Sequence, residues 1–189
     1  EEGDIAEVTR DAVDIYDSDG RRVTRPETLS NLSSEAADKG GYKHFMLKEI
    51  LEQSSAVAET LEGRIESGSI LEAGFEEKIL ESIEDIEAIT VIACGTSYHA
   101  ALIMKYWVEQ IIGIPCRVEV ASEFRYKKPI VGKNELFVAV SQSGETADTL
   151  AALRYAEEFS YVASLAICNV AQSSIVRAAD CAILTRAGP

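Results

Sequence analysis

Two short stretches of this sequence gather small hydroxyl and amide side chains around a glycine: Cys94-Gly95-Thr96-Ser97 and Ser141-Gln142-Ser143-Gly144-Glu145-Thr146. Ser and Thr hydroxyls donate to anionic oxygens, and Gln142 adds an amide donor. Gly95 and Gly144 let the backbone turn tightly and come close to a ligand. Each stretch separates an apolar run from an amphipathic one, so each reads as a strand-to-helix turn. The first turn of a helix offers N–H groups with no intrahelical partner, and its dipole favours an anion by about 0.3–1 kcal/mol. The chemistry implied is capture of a phosphate without Lys or Arg. The same residue types also serve as helix caps. One such loop would not separate the two roles; two loops at equivalent positions favour a ligand. Neither is a Gly-Lys-Ser/Thr phosphate loop or a Gly-x-Gly-x-x-Gly turn, so a nucleotide fits poorly.

Other candidates carry less. Glu145 could serve as acid or base, but a first-turn Glu also suits a helix start, and the structural role is favoured. Cys94 ends an apolar run with no His beside it, which favours packing over nucleophilic attack. His99 falls one turn into a predicted helix, and His44 opens another with no role assigned to it. Residues 123–128, Glu-Phe-Arg-Tyr-Lys-Lys, form the clearest positive cluster, suited to an acidic neighbour or a second subunit. The Asp17-Ser18-Asp19-Gly20 turn lacks the further acidic ligands of a calcium loop. Asn31-Leu32-Ser33 matches a glycosylation sequon that has no meaning in a cytoplasmic protein.

The elements that must hold the two loops follow from periodicity. Residues 89–93, 116–121, 135–140, 162–168 and 181–184 are mostly apolar and predict strands. Helices are expected over 97–112, 145–159 and 173–179. Apolar strands alternating with helices imply a parallel sheet covered on both faces, a doubly wound α/β fold. Ligands of such sheets sit outside the carboxyl ends of the strands, where both loops lie. Upstream, Met46, Leu47, Ile50, Leu51, Val57 and Leu61 make one helical stripe, punctuated by Gly63 or Gly68. A second helix is expected over about 76–83. Short strands are expected over 5–9, 12–16 and 22–24, and a polar linker over 29–41.

The chain has 189 residues, with 18 Lys and Arg against 32 Asp and Glu, a formal net charge of −14. That balance argues against nucleic acid and against an anionic membrane surface, but not against an anion held by backbone N–H groups. Four cysteines without Cys-x-x-Cys spacing point to buried thiols in a reducing compartment rather than a metal site or disulfide frame. No leader and no apolar run near 18 residues is evident, so a cytoplasmic location is expected. The start at Glu1 and the stop at Pro189, just after a predicted strand, read as cuts through a longer protein.

Longer ordered runs then become familiar. ACGTSYHA at 93–100, ASEFRY at 121–126, SQSGETADTLAALR at 141–154, SLAICN at 164–169 and DKGGYKHFMLKEILEQ at 38–53 together resemble glutamine:fructose-6-phosphate aminotransferase (glucosamine-6-phosphate synthase) over nearly the whole chain. The resemblance implies a flavodoxin-like five-stranded sheet of the sugar-isomerase (SIS) type with a small N-terminal β appendage. It implies residual strands of a glutaminase domain at 1–28, a linker at 29–43 and a C-terminally truncated first SIS subdomain at 44–189. Ser97, Ser141, Gln142, Ser143 and Thr146 would hold the phosphate of fructose 6-phosphate or glucosamine 6-phosphate, and Cys94, Gly95 and Thr96 would line the sugar side. No cofactor, metal, nucleic acid or membrane is implied. The family's nucleophilic Cys and its ring-opening Glu, Lys and His have no counterpart here, so no catalytic residue is assigned and the fragment is expected to bind without turning over. A homodimer is expected from the helix stripe and from the face near Phe124. Other readings stay open: a stand-alone SIS sensor, an interaction fragment with vestigial loops, or a one-domain pentose-phosphate isomerase using Glu145 and His99.

Overall fold

Five parallel strands, lying across the sheet in the order 181–184, 163–168, 135–141, 88–93 and 116–120, carry the two loops at their carboxyl ends. The computed structural model describes residues 3–27, 39–72, 75 and 77–188. It divides the chain into two compact units, residues 1–36 and 37–189. Most of the expected linker, the sequon and residue 76 lie outside the described residues.

In the first unit, β1 (Ile5–Val8) pairs antiparallel with β2 (Val13–Tyr16), and β2 with β3 (Arg22–Val23). The acidic turn between β2 and β3 is structural. Asp17 Oδ1 accepts the N–H groups of Asp19 at 3.0 Å and Arg21 at 2.9 Å, which makes the turn itself. Asp4 takes two hydrogen bonds from Arg25, at 2.8 and 2.9 Å, and the guanidinium holds its carboxyl well below the usual range.

The second unit opens with α1 (Phe45–Leu61), which matches the predicted stripe yet buries none of its residues. The sequence reading missed a small hairpin after it, β4 (Ile65–Glu66) and β5 (Ser69–Ile70). Its two turn residues, Ser67 and Gly68, both have positive φ, 53° and 81°, the twist a two-residue hairpin turn needs. The helix α2 (Glu77–Ile83) precedes the sheet.

The sheet comprises β6 (Ala88–Ala93), β7 (Cys116–Val120), β8 (Glu135–Ser141), β9 (Ala163–Cys168) and β10 (Cys181–Leu184). Side chains alternate between its two faces. Ile89 and Val91 of β6 and Leu136 and Val138 of β8 meet Ala101 and Val108 on one side, where α3 (Gly95–Trp107) lies. Ile92, Phe137 and Ala139 point the other way, against α4 (Ala121–Phe124), α5 (Ala147–Ala156) and α6 (Ser174–Ala178). A π-helical turn, Val108–Ile112, prolongs α3 and ends at Gly113, whose φ is 82°.

Three expectations are sharpened. Phe124 does not face outward; it is fully buried between Phe137 and Tyr155 and belongs to the core. The positive cluster around it meets acidic neighbours within this chain, Arg125 pairing with Asp148 at 3.1 Å and Lys127 with Glu119. Both helices of the loops start elsewhere than expected: α3 begins two residues earlier, at Gly95, and α5 two residues later, at Ala147. At the amino end of the sheet, Glu135 is fully buried. It accepts from Thr90 Oγ1 at 2.5 Å, Gly132 N–H at 2.6 Å and Arg117 Nη2 at 3.1 Å. A buried carboxylate needs such compensation.

Candidate functional site

The strand order places β6 beside β8, with β7 on the outer side of β6 and β9 beyond β8. Connections from β6 and β8 therefore diverge, which opens a crevice at their carboxyl ends. In register Ala93 stands opposite Val140, so Cys94 and Ser141 leave the sheet side by side, about one strand spacing (~4.8 Å) apart. Thr149 of α5 reaches across to Cys94 Sγ at 3.9 Å and joins the two loops.

Both loops lead into helices that lack side-chain caps. Cys94 and Thr146 occupy the cap positions in extended backbone, and neither side chain bonds the first-turn N–H groups. Simple capping would have consumed those donors. Thr96 is exposed and Ser97 half-buried in the first turn of α3. Gly95 has φ +58° with open space where a Cβ would stand.

The second loop is folded on itself. Ser141 is buried; its Oγ accepts Gly144 N–H at 3.1 Å and lies 3.2 Å from Thr146 Oγ1. Ser143 Oγ accepts Glu145 N–H at 3.2 Å. Gln142 and Ser143 remain exposed and Thr146 half-buried. Gly144 is the tightest point: at φ +66°, a Cβ there would fall 2.0 Å from Ser173 Oγ and 2.7 Å from Cys168 Sγ. The structure thus gathers Cys94, Gly95, Thr96, Ser97, Ser141, Gln142, Ser143 and Thr146 at the carboxyl end of the sheet, beyond β6 and β8.

Glu145 is committed elsewhere. Its Oε1 accepts the Ser174 N–H at 2.7 Å, and bonds from Ser174 hold its carboxyl below the ordinary range, with Arg177 adding to the effect. His99 is exposed and packs edge-on against Tyr98. All four cysteines are free, and burial, with help from Glu109, pushes the Cys116 thiol up. Among the described residues no cluster of His, Cys, Asp or Glu could hold a metal ion, and no helix is long and apolar enough to cross a membrane.

The sequence reading missed the turn after β9. Cys168, Asn169, Ser173 and Ser174 lie against the second loop, and the adjacent serines at the start of α6 were the available signal.

Strand order 2-1-3-4-5 with ligand-type loops at its switch point defines a flavodoxin-like α/β domain built to present helix starts. A family model described as SIS domain matches residues 82–189, and the chain belongs to that family. Over 189 residues the chain is 54% identical to glutamine--fructose-6-phosphate aminotransferase [isomerizing] of Pseudomonas putida, covering all of this chain and 31% of that protein. The chain thus spans about a third of the length of the curated relatives it matches. The C-terminal domain of glucosamine-fructose-6-phosphate aminotransferase from Francisella tularensis superposes with TM-score 0.77 at 48% identity, over 80% of this chain and 43% of that one. Glucosamine-6-phosphate deaminase from Thermotoga maritima, at 21% identity and TM-score 0.58 over 75% of this chain and 40% of that one, shares the fold alone.

Proposed function

We propose that this chain supplies the sugar-phosphate grip of an enzyme that makes glucosamine 6-phosphate from fructose 6-phosphate and glutamine. The observation that carries the reading is the pair of uncapped helix starts, α3 and α5, side by side at the switch point beneath exposed hydroxyls. The names of the relatives supply the substrate class. The phosphate takes the first-turn N–H groups of α5 with Ser143, Gln142 and Thr146, and Ser97 from the facing helix. Ser141 acts from below, orienting Thr146 through their shared contact. Cys94, Gly95 and Thr96 line the sugar side. The grip needs no cation, which fits a net charge of −14.

In this reading residues 1–28 are the last strands of a glutaminase domain, 29–43 a linker, and 44–189 the first SIS subdomain of a cytoplasmic enzyme. Ring opening and isomerisation fall to residues outside this sequence, so the chain binds but does not turn over. The exposed apolar side chains of α1, among them Met46, Ile50 and Val57, support a homodimer. Calorimetric titration of the chain with fructose 6-phosphate tests the grip. Saturable heat that is lost in the Ser143→Ala/Thr146→Ala double variant supports it, and no heat at millimolar ligand in the folded chain removes it.

A further inference from the structure

Three residues of the second loop, Gln142, Gly144 and Glu145, are held by one neighbouring turn, the connection from β9 to α6. Asn169 N–H donates to the Gln142 carbonyl at 3.2 Å, and Cys168 Sγ approaches the same oxygen at 3.6 Å. Ile175 N–H donates to the Gly144 carbonyl at 3.0 Å. The Gly144 Cα packs so closely on Ser173 that no Cβ fits between them. Ser174 N–H donates to the Glu145 carboxylate at 2.7 Å. Glu145 is tied at both ends, since its own N–H bonds Ser143 Oγ. The loop residues that offer donors to the crevice are therefore set from behind, and Glu145 supplies a charged link in that support.

We infer that Glu145 is a positioning residue: its carboxylate clamps the start of α6 and thereby fixes the Ser143 hydroxyl and the first turn of α5 for a sugar phosphate. This rests on the sugar-phosphate reading and adds a role that acid–base chemistry would not require. A carboxylate beside a phosphate site is otherwise unfavourable by like charge; engagement by Ser174 N–H and the nearby Arg177 gives it a different partner. A free loop would sample other conformations, and binding would weaken in proportion to the loss of the competent one.

Two measurements on the 189-residue chain test it. The first, amide hydrogen exchange, needs no ligand. Glu145→Ala should speed exchange at Gly144, Ser174 and Ile175 by about 5- to 20-fold, the loss of one charge-assisted bond, with β6 and β8 unchanged. Glu145→Gln keeps an acceptor oxygen and should restore most of the protection. Unchanged exchange in Glu145→Ala overturns the clamp whatever the ligand does. The second is the Kd for fructose 6-phosphate. Glu145→Ala should weaken it about 3- to 10-fold and Glu145→Gln less than about 2-fold, with little change in thermal midpoint. Equal losses in both variants would overturn the positioning role, since they would mark the charge itself as the contributor. Absence of binding by the wild-type chain would instead bring down the sugar-phosphate reading, and the positioning role with it.

Discussion

Replacing Gly144 by Ala puts one methyl group where the fold leaves no room. The new Cβ would lie 2.0 Å from Ser173 Oγ, 2.3 Å from Ser173 Cβ and 2.7 Å from Cys168 Sγ. Ser173 and Cys168 are both about 1% exposed, so neither can swing aside into solvent. The backbone at φ +66° adds about 1–2 kcal/mol for any residue with a Cβ. Overpacking in a buried site adds roughly 1–3 kcal/mol. A small offset of about 0.4–1 kcal/mol comes from the stiffer unfolded chain. The net expectation is a destabilisation of about 2–4 kcal/mol, equivalent to a fall of roughly 4–16 °C in Tm for a chain of this size. Gly95→Ala is the matched control, because it shares the positive φ, +58°, but meets nothing within 4 Å. It should cost only the backbone share less the same unfolded-chain offset, about 1 kcal/mol. Circular dichroism melts and urea titrations of both variants read the difference directly. Adding Ser173→Gly to Gly144→Ala removes two of the three clashing atoms and should recover part of the loss. Equal stability of the two alanine variants would refute the claim that Gly144 is a close-approach point.

Other outcomes follow from the same structure. Truncating Arg117 to Ala removes the guanidinium from the buried Glu135 carboxylate while Thr90 and Gly132 remain, so urea denaturation should show a loss of about 1–3 kcal/mol. Burial, then the nearby Glu135 charge, pushes the Tyr161 hydroxyl up to about 12 from an ordinary 10.0. Between those values the unfolded chain has lost a proton that the folded chain keeps, so stability falls as pH rises from 10 to 12; Tyr161→Phe should flatten that decline in alkaline melts. Cys94 is half-buried while Cys116, Cys168 and Cys181 are buried, so thiol alkylation of the native chain should modify Cys94 first. Mass spectrometry should also find that step slowed by fructose 6-phosphate.

How much of this was legible beforehand differs by element. The strands of the parallel sheet read clearly because apolar residues dominate each of them, even edge strand β7 with its Arg117 and Glu119; the sequence bounds β10 at Cys181 and Leu184, where it stands. The two loops were legible because Ser, Thr and Gly cluster where apolar runs end. The four-residue α4 was not, since Ala121–Phe124 is too short to show a period and continues directly from β7. Phe124 therefore reads as a surface residue among charges, whereas Arg125 and Lys127 pair with Asp148 and Glu119 contributed by other elements. The role of Glu145 was half legible. A structural role was favoured over catalysis, but its partner is the start of α6, 29 residues away, which no local pattern could show.

The proposed grip is defined by where a sugar phosphate lands. Amide chemical-shift mapping of the 189-residue chain during titration with fructose 6-phosphate would show this residue by residue. The prediction is saturable shifts at Gly95–Tyr98 and at Gln142–Asp148, the ends of β6 and β8, with β10 and the residues around Glu135 silent. Shifts centred elsewhere, or none at millimolar ligand, would contradict the proposal that these two helix starts form the grip.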